Sequence, residues 1–428
     1  GALTKVPGLR VISPTSAFAF RNSDLGVRRI ADSLGVSNVL EGSAQRVGAQ
    51  LRIHLRLVDA RDGSTRWSET YDREMRDVSS VESDVAGGVA RELNLRLGGS
   101  TLGRLQRRPT SSIAAYELYV RGNDPVLTRS DSGARAGLEF FRQAIALDPR
   151  YAAAYGGVAR MQIRLAFGGD DTTMSRRDRV AVAEDAARKA VALDDADGDA
   201  HASLGFIYRH NYDFASAEVE MKRAVALEPT SARFREWLAQ LYVFTDRPAE
   251  ALAEAHEALR LDPLSPTANA EVARALLAND RCDESLAQLG KLRYLRPPLL
   301  RAGSIAAQCY ARMGKWQEAA AVLARNSANA GVAGRGFFGY MLARAGRTDE
   351  ARRILADLRE HSRGGDPNTF AVAAVYAGLG ERDAAFRWLE RTLDERELDL
   401  EQLDAVLDGL RPDPRVERLR ERMGLQKR

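Results

Sequence analysis

Four short segments constrain this chain more than anything else in it: Ala146-Leu147-Asp148-Pro149, Ala192-Leu193-Asp194-Asp195, Ala226-Leu227-Glu228-Pro229 and Arg260-Leu261-Asp262-Pro263. The marker leucines Leu147, Leu193, Leu227, Leu261 and Leu295 are 46, 34, 34 and 34 residues apart. The long step contains a polar insertion of 12 residues, Gly168 to Arg179. A fixed period of this length means one supersecondary unit repeated, each burying its apolar face against the next. Small residues follow in steps of 46, 34, 34, 34, 34, 32 and 34 at Gly137, Ala183, Ala217, Ala251, Ser285, Ala319, Ala351 and Ala385, beyond the point where Pro297 ends the marker. A second register runs through Ala159, Gly205, Ala239, Ala273, Ala307, Gly339 and Ala373. Three residues after each stand Gln162, Tyr208, Tyr242, Leu276, Tyr310, Leu342 and Tyr376. Small and large residues one turn apart describe closely paired helices. Asp246-Arg247-Pro248, Met313-Gly314, Ala345-Gly346 and Leu379-Gly380 supply breaks between the helices of a pair.

A helix-turn-helix unit with L-G-x-x-Y-like, A-x-x-x-[FL]-like and terminal Pro positions resembles the tetratricopeptide repeat (TPR). The resemblance implies a mainly α fold, a right-handed TPR helical-repeat solenoid of about eight helix pairs over 113–410. Residues 411–428 are expected to form a C-terminal capping helix, opened by Asp413-Pro414-Arg415 and apolar at Val416, Leu419 and Met423.

Residues 1–97 follow another pattern. Leu51, Ile53, Leu55 and Leu57 alternate with Gln50, Arg52, His54 and Arg56, as in a half-buried strand. Strands are expected at Leu9 to Ser13, Asn38 to Arg46, Gln50 to Asp59 and Thr65 to Tyr71. One helix carries Val27, Ile30 and Leu34 and stops at Gly35; a second carries Val78, Val81, Val85, Val89 and Leu93. The result is a small α/β domain, joined to the array by a linker at 98–112. LRVISPTSAFAF, LGVSNVLEG and WSETYDR resemble the TolB-like domain that precedes TPR arrays in bacterial regulatory proteins. That likeness implies an apolar first strand ahead of Gly1: either the chain is a processed or partial product, or another strand completes the sheet, since a missing strand invites pairing with another chain.

With 45% apolar and 29% charged residues, the composition is that of a folded protein, and a net charge of +4 gives little reason to invoke nucleic acid. No apolar run approaches the roughly 20 residues that span a bilayer. Cys282 and Cys309 make no disulfide framework and leave the compartment open, with the cell envelope favoured. Gly334 to Gly339 reads G-x-G-x-x-G, but it falls inside a repeat helix with no strand before it, so close packing explains it better than a dinucleotide. His54, His201, His210, His256 and His361 lack metal-ligand spacing. No catalytic motif, metal or cofactor is expected. Trp67 and Tyr71, on one strand face, are expected in core or edge packing.

Carried onto this register, the TPR inner face implies a groove formed by Arg160, Arg164, Phe206, Arg209, His210, Arg233, Gln240, Arg274, Arg301, Gln308, Arg312, Tyr340 and Arg344. Asp199 and Glu236 are the clear acids there. Guanidinium forks suit carboxylates, so an acidic or C-terminal peptide is one expectation. Arginines paired with acids of neighbouring repeats are the other. The leading function is a non-catalytic protein-interaction scaffold. A ring or filament built through repeat ends and strand donation is a second reading, and the sensory part of a kinase, cyclase or transcription regulator a third.

Overall fold

The computed structural model describes residues 2–5, 9–21, 23–47, 50–74, 78–93, 110–124, 127, 130–167, 173–292, 300–325, 331–363, 369–396 and 400–425. Most of the expected linker, the markers Leu295 and Pro297 and the start of the polar insertion lie outside these residues, as do the side chains of Val78, Val81 and His361.

Three antiparallel strands form the sheet, in the order β1 (Asn38–Val47), β2 (Gln50–Asp59) and β3 (Thr65–Glu74). The alternation in β2 sets the register. Leu57 pairs with Leu40 and Trp67, and Ile53 with Tyr71. On the wet face Arg56 binds Glu41 at 2.7 Å, Arg52 binds Asp72 at 2.7 Å, and His54 meets Thr70 at 3.0 Å. Helix α3 (Val78–Glu92) covers the apolar face with Val85 and Val89 over Leu57 and Tyr71. Gly88 lets α3 approach β3, since a Cβ there would stand 2.9 Å from the Trp67 ring. Trp67 and Tyr71 therefore serve the core, as expected.

Leu9 to Ser13 is not a strand. Ser13 instead caps the short helix α1 (Pro14–Phe18), and its own amide donates to Leu261 O at 2.9 Å. A short apolar run reads alike as a strand or as an extended segment docked elsewhere. Here the docking surface is a repeat turn: the Ser16 amide donates to Asp262 Oδ1 at 3.1 Å, the Ser16 hydroxyl donates to the same oxygen, and the Leu264 amide donates to Ser16 Oγ at 2.9 Å. Asp262 belongs to one of the marker motifs. Helix α2 (Val27–Leu34) ends at Gly35, whose φ of 61° is the left-handed stop that glycine permits.

Eight helix pairs follow. They are α4 (Ile113–Gly122) with α5 (Asp131–Leu147), α6 (Ala152–Phe167) with α7 (Arg176–Leu193), α8 (Gly198–His210) with α9 (Phe214–Leu227), and α10 (Ala232–Phe244) with α11 (Pro248–Leu261). The series continues with α12 (Pro266–Ala278) and α13 (Cys282–Lys291), α14 (Leu300–Arg312) and α15 (Trp316–Ala324), α16 (Val332–Arg344) and α17 (Thr348–Arg363), and α18 (Thr369–Gly378) and α19 (Arg382–Glu395). Two further helices close the described chain, α20 (Leu400–Leu410) and α21 (Arg415–Arg422).

The small-residue registers mark the lines of closest approach. Ala159, Ala183, Ala217, Ala251, Ala273, Ser285, Ala307, Ala319, Ala351, Ala373 and Ala385 are all 0% exposed. Within the glycine motif, Gly336 abuts the Ala371 backbone, and a Cβ on Gly339 would come 2.7 Å from Val375. That motif packs α16 against α18. From the third pair to the eighth, the turn inside the pair uses one left-handed residue, at Tyr212, Asp246, Asp280, Gly314, Gly346 and Gly380. Glycine takes this conformation freely; the first three positions adopt it with side chains.

The chain divides into two compact units, Gly1–Ile207 with Glu218–Arg235 and Arg260–Ser265, and Tyr208–Ala217 with Glu236–Leu259 and Pro266–Arg428. No described helix is long and apolar enough to cross a membrane.

Candidate functional site

Polar side chains cluster on the first helices of the pairs, with one cluster in each unit. In the first, Asp199 near the start of α8 receives Arg160 of α6 at 2.6 Å and Arg233 of α10. The second arm of Arg160 binds the Asn123 side chain. Burial pushes the Asp199 carboxyl up, but Arg233 and Arg160 outweigh it and hold the group below the usual carboxylate range. Arg164 lies 3.3 Å from Asp131, and Phe206 meets Phe167 edge-on with centroids 5.2 Å apart.

In the second unit the cluster is larger. Glu271 of α12 is 1% exposed and lies between Arg274, at 3.5 Å, and Arg301 of α14. A relay reaches it from the side: Arg209 donates to Gln240 Oε1 at 2.6 Å, and Gln240 Nε2 donates to Glu271 at 2.8 Å. Arg209 also contacts His210 at 3.1 Å and stacks on Phe244. Burial pulls the Arg209 guanidinium down to about 10 against the opposing pull of Glu401 and Glu271.

Glu401 comes from α20. One carboxylate oxygen lies 3.0 Å from Arg274 Nη2 and the other 2.8 Å from Arg301 Nη2. Burial raises this carboxyl, yet Arg274, Arg301 and Arg209 together hold it at about 2. The same pair of acids holds Arg301 above the usual guanidinium range, although burial works against it.

Helix α20 is held at two further points by residues read from the repeat register. Gln308 Nε2 donates to Glu401 O at 3.3 Å, and the Tyr340 hydroxyl donates to Ala405 O at 2.9 Å. Tyr340 itself is 1% exposed and stacked on Phe337. Leu400, Leu403, Val406, Leu407 and Leu410 are buried, each worth about 1.5–3 kcal/mol when fully removed from water. The following helix adds an anchor: Arg420, 1% exposed, binds Asp246 and lies 3.7 Å from Asp404. Thus the segment expected to cap the array reaches the turn at Asp246.

Of the thirteen inner residues read from the repeat register, Arg209, Gln240, Arg274, Arg301, Gln308 and Tyr340 converge on the Glu271–Glu401 cluster or on α20. Arg160 and Arg233 converge on Asp199. Arg312 pairs with Asp280 instead, and Arg344 stacks on Trp316 at 4.5 Å. The acids Glu271 and Glu401 were missed. Glu271 lies three residues before Arg274, a spacing that puts both on one helix face. Glu401, Asp404 and Asp408 form an acidic stripe that the repeat count had absorbed into the eighth unit. Among the described residues no three His, Cys, Asp or Glu side chains meet as a metal site requires.

No family model matches the chain. Over 157 residues it is 30% identical to a Rhizobium meliloti (strain 1021) protein named "Putative adenylate cyclase 3", a match covering 37% of this chain and 27% of that protein. Similar solved structures include a tetratricopeptide repeat protein from Parabacteroides merdae (13% identity, 70% of this chain and 99% of the other, TM-score 0.40). A thermophilic TPR protein of Thermus thermophilus aligns at 21% identity over 46% of this chain and 98% of its own (TM-score 0.38). Pseudomonas aeruginosa pilF aligns at 18% identity over 50% and 90% (TM-score 0.37). The assignment of TPR-like helical repeats behind a small α/β domain rests on the eight helix pairs and the sheet themselves.

Proposed function

We propose that the chain is a non-catalytic protein-interaction scaffold whose second unit binds an acidic segment through Arg274 and Arg301. The supporting observation is that these guanidiniums already bind a carboxylate, Glu401, presented by a helix outside the eight pairs. Planar forks favour such bidentate contacts, and Gln308 and Tyr340 add contacts to the occupant's backbone. A graded set of synthetic helical peptides tests this. Acidic peptides are retained by the full chain, and retention falls at least tenfold in Arg301→Gln; retention indifferent to peptide charge contradicts it.

A second reading is supported by the likeness to the Rhizobium protein, of whose length the match covers 27%. In that reading this segment is the sensory part of a larger signalling protein, in keeping with its TolB-like resemblance. The reading frame that encodes it decides: a cyclase, kinase or DNA-binding domain in frame upholds the reading, and the lack of any output domain removes it.

A further inference from the structure

We propose that α20 is a resident competitor in the groove of the second unit, and that the partner is an acidic amphipathic helix of the same kind that binds by displacing it. This rests on the reading that the groove takes an acidic segment.

Helix α20 stands apart from the repeat pattern. Its predecessor α19 ends at Arg396, a non-glycine residue with φ 57°. From there α20 contacts side chains of α12, α14 and α16 as well as lying along α18. The sequence of α20 carries two stripes: leucines at Leu400, Leu403, Leu407 and Leu410, and carboxylates at Glu401, Asp404 and Asp408. Both follow helical spacing. The first acid meets Arg274 and Arg301; the second faces Arg420 at 3.7 Å.

One position adds a steric requirement. A Cβ on Gly409 would collide with Tyr340, its nearest atom being the Tyr340 hydroxyl oxygen at 2.5 Å. The groove therefore selects an acid that reaches Arg274 and Arg301, a backbone carbonyl one turn later for Tyr340, and a glycine one turn beyond that. A partner helix meeting those conditions fits as α20 does. The resident helix is also imperfect. Asp404 is half-buried, and partial desolvation together with the nearby Asp408 disfavours its charge, so the cis complex carries an acid whose ionised form is poorly stabilised. An intramolecular occupant lowers apparent affinity in proportion to the fraction of open groove, which lets a better helix compete.

The test uses a fluorescein-labelled peptide with the sequence of residues 399–411, read by anisotropy against the full chain. Gly409→Val weakens cis docking through its clash with Tyr340 and substitutes no groove residue; Glu401→Gln is a second route should the first variant misfold. The expected result is at least tenfold tighter peptide binding by either variant than by the unaltered chain. Adding Arg301→Gln to the variant abolishes that gain, and a peptide with lysine at the position of Glu401 does not bind. Equal affinity for the unaltered chain and the α20 variants, still lost with Arg301→Gln, overturns the competitor role while leaving the groove reading intact. Binding insensitive to Arg301→Gln overturns both.

Discussion

Glu401 places a carboxylate oxygen 3.0 Å from Arg274, so the end of the described chain supplies the counter-charge for a guanidinium in the fifth helix pair. Arg274 is 4% exposed and keeps Glu271 on its other side. A buried cation held between two acids is costly to strand. Removing either acid therefore tests how much the cluster contributes to the fold.

Glu271→Gln is expected to cost about 3–5 kcal/mol, the range for breaking a buried ion pair and leaving its partner uncompensated. Glu401→Gln should cost less, about 2 kcal/mol, because 32% of the Glu401 side chain still meets solvent. Urea denaturation of the two variants checks the order. Equal losses, or a larger loss at Glu401, would count against the assignment of Glu271 as the buried centre.

The two carboxyls of α20 predict opposite pH effects. Glu401, held at about 2, stabilises the fold above its unfolded value near 4.5, and that contribution disappears as pH falls toward 2. Asp404 is raised to about 6 by burial and by Asp408, against Arg420, Arg312 and Arg411. Its raised value favours the folded state below about pH 4, and the advantage is lost as pH rises through 6. Asp404→Asn should thus gain about 1 kcal/mol at pH 8 and nothing at pH 4, as denaturation midpoints would show.

His201 provides a separate pH test in the first unit. Its ring nitrogens contact Glu220 at 2.6 Å and the Asp195 carbonyl at 3.1 Å. The Glu220 bond outweighs burial and raises the imidazolium above its ordinary value of 6.5. The stabilisation is complete below that value and fades as pH climbs through the higher folded one. His201→Gln should be most damaging at pH 5.5 and least at pH 8.5; a constant difference would contradict the pairing.

Gly336→Ala distinguishes close packing from an exposed helix face by the sign of its effect. Inside an exposed helix, alanine in place of glycine gains about 1 kcal/mol. Against the Ala371 backbone it should cost about 1–3 kcal/mol through overpacking, read as a lower denaturation midpoint.

Much of the architecture was legible because close helix approach tolerates only small residues at fixed places. Ala159, Ala273 and Ala373 recur for that reason and are fully buried. Turn glycines at 314, 346 and 380 were equally visible, whereas Tyr212, Asp246 and Asp280 adopt the same left-handed geometry without the telltale residue. Leu9 to Ser13 misled, since its apolar run does not disclose that Ser13 and Ser16 bind the Leu261-Asp262 turn. Arg274 and Arg301 were named from the register, but Glu401, the acid they share, lies far away in sequence. Nothing local to Arg274 announces Glu401; the acidic stripe of α20 was the available signal.

Hydrogen–deuterium exchange of α20 in the full chain tests the central claim most directly. Amides of Leu400–Leu410 should be protected in the free protein and exchange faster when the acidic glycine-bearing helix peptide is added, while those of α18 stay protected. Unchanged protection of α20 with peptide demonstrably bound would contradict displacement.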